Sequence, residues 1–274
     1  MANLSATGVA SFMECEQKFW FSRVERWEYV GLVKPGAMEL GSLVHYLVER
    51  WVKGDELDNM HALAEAYIFQ AYESEYSVAD AMKNHLPYAM SMIRYIAAWM
   101  EHHKFFDKWE MIEAEHQLEA QIGNHTFRVT PDLLIRNKVT DLLGILDYKT
   151  GANLNVHLHA RDWQLAVTAA ILEELGRTPY YGMHLRIKKA KANHAKPPFV
   201  ELKEIRFTPE RLASIRRELI EIGNRVDNAT MYLPNPSSRC ETMCAYSDAC
   251  EAKGSEQDWE YVLGQTHQRK KDIE

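Results

Sequence analysis

The chain has 274 residues, of which 46% are hydrophobic and 26% are charged, and its formal net charge is −7. That length accommodates one large domain, or one domain with an appended subdomain, of ordinary soluble globular composition. The acidic net charge argues against a protein that coats nucleic acid by bulk electrostatics. No apolar run approaches the ~20 residues of a membrane helix, and the first residues lack the pattern of a signal peptide, so we expect a cytoplasmic location.

Helices are predicted for the first hundred residues. Aromatic side chains recur at helical spacing across residues 7–26, and a second helical pattern covers residues 38–53 and stops at Gly54, a residue type that commonly follows helices. Longer helical patterns with polar faces continue to about residue 103. These segments predict a helical N-terminal part at about residues 1–105.

From residue 109 onward the apolar spacing becomes that of β-strands. Three strands are predicted, at residues 109–122, 125–136 and 142–149. Gly123 and Asn124 predict a hairpin turn between the first two. Because Pro131 cannot donate to a strand ladder, we expect the second strand to be bulged or at a sheet edge there.

A helix, two further strands and a last helix follow, at residues 161–175, 180–188, 199–207 and 209–231. The whole order of elements predicts an α/β core with a helical N-terminal elaboration. We expect a single domain that consists of the helical part, a core at about residues 106–232 and a cysteine-rich tail at about residues 233–274.

Two acids and a lysine stand where apolar strands end. Asp132 precedes the apolar run of the second strand, and Asp147 closes the apolar run of the third. Lys149 lies two residues after Asp147, so both side chains point to the same face of the strand. An ionised carboxylate is costly to bury without a partner, so these acids predict a bound cation. Oxygen ligands beside an ammonium group are what metal-assisted hydrolysis of a phosphodiester needs.

A nucleotide-binding loop is the alternative that the Lys149-Thr150 pair raises, but the glycines that should precede the lysine are missing.

Basic residues form two stretches of the sequence. Such runs more often indicate a solvated face, and a basic groove in an acidic enzyme is the alternative interpretation. The two stretches are Arg186, Lys188, Lys189, Lys191 and Lys196, and Arg211, Arg216 and Arg217.

The four cysteines lie at the two ends of the chain: Cys15 near the start, and Cys240, Cys244 and Cys250 near the end. In a reducing compartment, clustered cysteines more often hold a metal or cluster than form disulfides. Four thiolates suit structural zinc as well as an iron–sulfur cluster. Either group would join the two chain ends.

These motifs resemble the PD-(D/E)XK nuclease superfamily, and most closely its RecB-type branch of iron–sulfur exonucleases, which includes CRISPR-adaptation and AddB-type nuclease domains. The resemblance covers nearly the whole chain in five pieces. They are the opening segment with Leu4, Ser5, Thr7, Phe12, Cys15 and Phe19, the Gly41-x-x-x-His45 element, Pro131-Asp132, Asp147-Tyr148-Lys149, and Trp163-Gln164-Leu165-Ala166. The chain departs from the family pattern at Glu16, where proline is common, at Thr168, where tyrosine is common, and in the three residues between Cys240 and Cys244, where two are usual.

The resemblance implies a restriction-endonuclease-like core, in which helices flank a central mixed sheet. It also implies Mg²⁺ or Mn²⁺ at the acids, with Lys149 orienting or activating a water and Gln164 holding the nucleophile or the strand. The implied metal ligands are His45, Asp132, Asp147 and the carbonyl of Tyr148. Glu113 or Glu115, on the preceding strand, could add a contact to them.

The four cysteines resemble the ligand set of a [4Fe-4S] cluster in that branch, with structural Zn²⁺ as the alternative. The implied function is an exonuclease acting on single-stranded or duplex DNA ends, in recombination, repair, CRISPR adaptation or viral DNA processing, in a bacterial or virus-infected cell. The sequence contains no helicase motif, so we expect a helicase, recombinase or CRISPR-adaptation partner to be a separate chain. A non-catalytic DNA-binding or scaffold protein that retains the fold is the alternative, but it would be expected to lose Asp132, Asp147 or Lys149.

Overall fold

The computed structural model describes residues 1–29, 36–72, 75–154, 162–190 and 197–270 of the chain. Within these residues ten strands form three sheets. The strands are β1 (Asn3–Ser5), β2 (Trp27–Tyr29), β3 (Trp109–Ala114), β4 (Leu118–Ile122), β5 (His125–Val129), β6 (Leu133–Asn137), β7 (Leu143–Gly151), β8 (Pro179–Lys188), β9 (Val200–Arg206) and β10 (His267–Arg269).

Twelve α-helices, a π-helical turn (Trp20–Val24) and a 3₁₀ turn (Leu57–Asn59) occur in the same part of the chain. None of the described helices combines the length and the apolar character needed to cross a membrane. The helices are α1 (Ala6–Glu14), α2 (Glu16–Phe19), α3 (Gly36–Val52), α4 (Met60–Ala71), α5 (Glu75–Asn84), α6 (Leu86–His102), α7 (Phe105–Lys108), α8 (Trp163–Glu174), α9 (Pro209–Asp227), α10 (Ser238–Thr242), α11 (Ser247–Gly254) and α12 (Trp259–Gly264).

A five-stranded mixed sheet, in the order β3-β6-β7-β8-β9, lies at the centre. β7 and β8 are parallel, and the other neighbours are antiparallel. Parallel neighbours need a crossover connection, which α8 provides between β7 and β8. The predicted fold class is therefore confirmed: helices flank a central mixed sheet.

Helices cover both faces of this sheet. Residues of α3, α4 and α6, such as Leu47 and Met92, form the core on one face, and residues of α1, α8 and α9, such as Phe12 and Ile171, form the core on the other. Because β7 is covered on both sides, its first six residues are all buried. That burial explains why this strand is a continuous apolar run in the sequence.

Two of the predicted strands are each divided in the structure. Residues 109–122 form β3 and β4, which belong to different sheets, because the chain turns at Glu115, where φ is +50°. Residues 125–136 form β5 and β6, which are separated at Pro131. The expected bulge or edge at this proline is a change of sheet, since β5 pairs with β1 and β4 whereas β6 pairs with β3 and β7.

The first predicted helix is also divided. Residues 7–26 contain α1, α2 and the π-helical turn, and Cys15, between the two helices, has an extended backbone with φ −162° and ψ 115°. The helix predicted at residues 161–175 begins at Trp163. Arg161, Lys191 and Lys196 lie outside the described residues.

The end of the described chain packs against its beginning. β10 pairs with β2 in the antiparallel sense, and Phe21, Ala249 and Leu263 form a small separate core. The hydroxyl of Tyr246 donates a hydrogen bond of 2.8 Å to the carbonyl of Trp27. These contacts bring the cysteine-rich tail to the segment that carries Cys15.

Candidate active site

The acids and the lysine predicted from the sequence lie together where the start of β6 pairs with the middle of β7. Asp132 directly precedes β6, Asp147 and Lys149 belong to β7, and the two acids are only 7% and 2% exposed. The backbone N–H of Tyr148 donates to Asp132 Oδ2 at 2.6 Å, and this hydrogen bond fixes the Asp132 carboxylate against β7. The antiparallel pairing of β6 with β7 produces this arrangement.

Lys149 is held between two acceptors. Its Nζ lies 2.9 Å from Asp147 Oδ1 and 2.7 Å from Asp147 Oδ2, and it donates to Gln164 Oε1 at 2.7 Å. Gln164 stands in the first turn of α8, whose start is capped by the Asp162 side chain. The lysine therefore has one orientation, with its ammonium beside the second acid.

His45 reaches the site from the helices α3, α4 and α6 that cover one face of the central sheet. It lies on α3, and its Nδ1 is 3.3 Å from Asp132 Oδ1. Gly41, one turn earlier, faces Thr150 of β7, and a Cβ at this glycine would lie 3.5 Å from the threonine Oγ1. A Cβ at this position would thus make an ordinary van der Waals contact with the strand that carries Asp147.

Glu115 joins these residues. It was one of two candidates for an added contact, and the structure separates them, because Glu113 instead pairs with Arg177 at 2.9 Å. One ligand atom each of His45, Glu115 and Asp132 lie within 4.8 Å of one another, the one such group of three or more among the described residues. The positive φ of Glu115 ends β3 and directs the chain at this point.

His184 and Asp162 are neighbours of the site that sequence reasoning missed. His184 lies opposite Asp147 in the β7–β8 pairing, and its Nε2 is 3.4 Å from Asp147 Oδ2 and 3.5 Å from Asp162 Oδ2. His184 is 2% exposed. The sequence signal for His184 is a single histidine inside an apolar strand. Which residue this histidine contacts depends on the register between β7 and β8, which the sequence pattern does not give.

Three groups of the site have raised pKa values, which favour their protonated forms. Burial raises the pKa of Glu115 to about 7, and the charge of Asp132 adds to the effect. Burial also raises the pKa of Asp147 to about 6, although Lys149 opposes the shift. Burial lowers the pKa of His45, but hydrogen bonding to Asp132 and its charge together reverse this, so the net shift is upward. A divalent cation could replace those protons, because it would compensate the same negative charge.

Carboxylates and an imidazole are the candidate metal ligands. Oxygen ligands suit Mg²⁺, and adding a histidine makes Mn²⁺ a good match as well. The phenol of Tyr148 is not available as an anionic ligand, since burial raises its pKa. The carbonyl of this residue, on the same strand as Asp147, remains the predicted ligand.

The four cysteines line one pocket of about 280 Å³, between the α1–α2 break and the tail. Backbone N–H groups donate to two of the sulfurs: Asn235 to Cys15 Sγ and Ser237 to Cys240 Sγ, both at 3.4 Å. Burial raises the pKa of Cys250, and the neighbouring Cys15 and Cys244 raise it further. A bound cation would be needed to keep this group of thiols ionised.

A comparison with protein-family models found a match to the PD-(D/E)XK nuclease superfamily over residues 3–251. A comparison with curated proteins found no match. Among solved structures, a candidate exonuclease from Eubacterium rectale is 17% identical, with a TM-score of 0.48 over 89% of this chain and 93% of that chain. An alkaline exonuclease from Laribacter hongkongensis is 10% identical, with a TM-score of 0.34 over 82% of this chain and 90% of that chain.

Proposed function

This chain belongs to the PD-(D/E)XK nuclease superfamily, and from that premise we propose that it is a Mg²⁺- or Mn²⁺-dependent deoxyribonuclease that acts as an exonuclease. The observation that carries the proposal is the convergence of Asp132, Asp147 and Lys149 where β6 pairs with β7, with His45 Nδ1 3.3 Å from the first acid. A non-catalytic relative would have no need to retain all of these groups.

The residues fit a divalent cation. His45, Glu115 and Asp132 offer ligand atoms within 4.8 Å of one another, and the raised pKa values of Glu115 and Asp147 mark a site short of positive charge. We assign the cation to His45, Asp132, Asp147 and the carbonyl of Tyr148, with Glu115 as an added ligand. When bound, the ion would neutralise charge on the scissile phosphate and lower the pKa of a water.

Lys149 and Gln164 would orient the attacking water. The ammonium is fixed by Asp147 and by the Gln164 amide oxygen, so it can donate to a water or to a phosphate oxygen at a constant position. Its positive charge would neutralise charge that develops on the phosphate in the transition state. Asp147 therefore has two roles, as a ligand of the cation and as the anchor of the lysine.

We also propose that Cys15, Cys240, Cys244 and Cys250 hold a [4Fe-4S] cluster. Among these four described cysteines no three sulfurs lie within 4.8 Å of one another, whereas sulfurs that share one Zn²⁺ at ~2.3 Å would be roughly 3.8 Å apart. The wider spacing and the two N–H donors to sulfur favour the larger group over structural zinc. When bound, the cluster would join the chain ends.

The setting that we propose is cytoplasmic DNA recombination, repair, CRISPR adaptation or viral DNA processing. DNA is the proposed partner, and a separate helicase, recombinase or adaptation protein would supply unwinding or recruitment. No step of the chemistry above depends on which of these settings applies.

The experiment that tests the proposed function is cleavage of end-labelled single-stranded and duplex DNA with Mg²⁺, with Mn²⁺ and with EDTA. We expect metal-dependent release of short products from linear DNA and survival of closed circular single strands. Asp147→Ala should abolish cleavage while DNA binding stays measurable, because it removes a cation ligand and the anchor of Lys149.

Asp107→Ala is the matched control, because Asp107 is exposed on α7 and outside the site. Full activity in Asp147→Ala would overturn the assignment of the site. A wild-type protein that binds DNA and cleaves none with either metal would be the non-catalytic alternative. Cleavage of the circular strand would replace the exonuclease claim with an endonuclease.

A further inference from the structure

Two adjoining pockets lie beside the candidate active site, between the first residues of the chain and the β4–β5 hairpin. One has a volume of about 260 Å³ and the other about 410 Å³. Ser5 and Arg128 line both of them, and these two residues are paired across the parallel strands β1 and β5. The two pockets therefore share the wall that this strand pair forms.

The pockets carry concentrated positive charge in an acidic chain. Arg23, Arg26, Arg128 and Lys270 line them, and we call these four residues and the space between them the basic groove. No Asp or Glu occurs among the described residues that line either pocket. The chain as a whole has a net charge of −7, so this local balance differs from its surroundings.

Arg128 is the cation at the junction, and it is exposed. Glu119 lies opposite it in the β4–β5 pairing, yet no carboxylate of the described residues forms a salt bridge with Arg128 within 4.0 Å. Arg23 donates to Thr7 Oγ1 at 3.2 Å, and this hydroxyl lies 3.0 Å from Ser5 Oγ. Lys270 pairs with an acid, Glu28, at 3.3 Å.

The smaller pocket connects the basic groove to the catalytic residues. Gln164, which accepts the hydrogen bond from Lys149, is part of its wall. Thr130, two residues before Asp132, is another part. A chain of phosphates that left the scissile position along this wall would meet Arg128 next and Arg23 after it.

We propose that the basic groove binds the phosphate backbone of a single DNA strand on one side of the scissile bond. This inference rests on the proposed function, because it assigns a path to the strand that the active site would cut. Arginine side chains bind phosphate oxygens strongly, and a charged groove that follows the backbone is a general means of holding single strands. Each of the two pockets has room for a nucleotide of one strand.

The groove would select nucleic acid by charge and not by base. The four cations of the groove, Arg23, Arg26, Arg128 and Lys270, are proposed to contact phosphates, and such contacts carry no sequence information. Affinity should therefore depend strongly on salt and weakly on sequence.

The test compares Arg128→Gln and Arg23→Gln with the wild-type protein, using a fluorescent single-stranded 20-mer in EDTA so that no cleavage occurs. Each variant should weaken binding about fivefold and reduce the slope of log Kd against log salt by about 0.7. With metal present, each should raise KM for the same 20-mer. The rate on thymidine 5′-p-nitrophenyl phosphate, which is too short to reach the groove, should not change.

Matched controls separate charge from position. Arg94→Gln removes an exposed arginine on α6, in the other layer, and should leave binding unchanged. Glu119→Gln should not weaken binding, because it removes a negative charge opposite Arg128. Arg128→Lys should keep most of the affinity, and this charge-conserving variant guards against misfolding as the cause of any loss.

The results distinguish failure of the groove from failure of the proposed function. One outcome is that the wild type cleaves the 20-mer while Arg128→Gln and Arg23→Gln bind it as tightly as the control Arg94→Gln does. The proposed groove would then be wrong, and the proposed nuclease function would be supported. If Arg128→Gln and Arg23→Gln lowered the rate on thymidine 5′-p-nitrophenyl phosphate as much as the rate on the 20-mer, the proposed groove would also be wrong. The two arginines would then act at the catalytic centre. If the wild type binds the 20-mer through Arg128 but hydrolyses neither substrate, the groove stands and the nuclease fails.

Discussion

Buried charge is concentrated at a single point of the described molecule, where α3, β3, β6 and β7 meet. Asp132 and Asp147 are almost fully buried, and their compensation by Lys149, His45 and a backbone N–H is incomplete, as the raised pKa values of Glu115 and Asp147 indicate. A stable core would not by itself retain carboxyl groups in this state. A bound cation would offset the free-energy cost of burying these carboxyl groups.

The stability of the metal-free protein should fall as the pH rises from about 4 to about 7. Glu115 has a pKa of about 7 against an ordinary 4.5, and Asp147 about 6 against an ordinary 3.8. A carboxyl whose folded-state pKa is raised contributes stability that is present below its ordinary pKa and is lost as the pH rises through the folded value. The loss should therefore occur between about pH 4 and pH 7, and thermal unfolding in EDTA measures it.

Added Mg²⁺ or Mn²⁺ should raise Tm more at pH 8 than at pH 5, because the ligands must lose their protons to bind it. Glu115→Gln should flatten the pH dependence in EDTA, since an amide does not ionise. Glu110→Gln, exposed on the strand β3 that precedes Glu115, is the control and should leave the curve unchanged. A Tm in EDTA that rises from pH 5 to pH 8 would contradict the assignment of these buried carboxyls.

At the scale of elements, predicted strands and a predicted helix are interrupted at the candidate ligands of the metal and of the cluster. The predicted strand at residues 109–122 breaks at Glu115, the strand at residues 125–136 breaks at Pro131-Asp132, and the first helix breaks at Cys15. Each interruption directs one candidate ligand away from the regular element that precedes it. Continuous strands would have sent β4 and β5 into the central sheet and left no separate hairpin to line the basic groove.

Close packing of α9 against that hairpin gives a prediction at this scale. Gly223 lies over the buried ring of His125, and a Cβ there would come within 2.3 Å of the ring. His125 in turn bonds Asn224 Oδ1 at 3.0 Å, so the ring cannot easily move aside. Gly223→Ala should therefore destabilise the protein by about 1–3 kcal/mol through overpacking, measured by urea unfolding.

Gly254→Ala is the matched substitution, because a Cβ at Gly254 meets no atom within 4 Å. Its stability should stay within about 0.5 kcal/mol of the wild type. Equal stability of the Gly223 and Gly254 variants would mean that α9 does not pack on the hairpin as described.

At the scale of the whole molecule, the two chain ends form one structure. β10 pairs with β2, the small core of Phe21, Ala249 and Leu263 lies beside them, and all four cysteines line one pocket. Lys270, close to the end of the described chain, lines the basic groove together with Arg23. The tail thus contributes to the proposed path of the strand, beyond its proposed role in holding a cluster.

Shared ligation gives the prediction for the whole molecule. Anaerobically purified protein should be brown, and Cys15→Ser should lose the colour as completely as Cys240→Ser, because the proposed cluster takes ligands from both ends. Both variants should also lower Tm, since the ends are then no longer joined. Visible absorbance and metal analysis measure the first effect, and thermal unfolding the second.

Ser247→Ala serves as the control, because Ser247 lines the same pocket without a thiol. It should keep the colour and the Tm. A colourless wild-type protein with one equivalent of zinc would replace the cluster by the structural alternative.

The sequence by itself determined the fold class, the superfamily and the acid–acid–lysine set. Family membership, the central mixed sheet and its flanking helices follow the prediction, and Asp147 and Lys149 share a face because strand alternation is a local property. The three-part division of the chain and the roles of the site residues remain predictions.

Only the tertiary structure decided which distant residues join that set. Glu115 was distinguished from Glu113 by the pairing of Glu113 with Arg177, and His184 met Asp147 through the register of two parallel strands. The basic groove is formed by Arg23, Arg26, Arg128 and Lys270, and neither of the two basic stretches in the sequence contains any of them. Register and layer packing depend on contacts between residues far apart in the chain, which a local pattern does not encode.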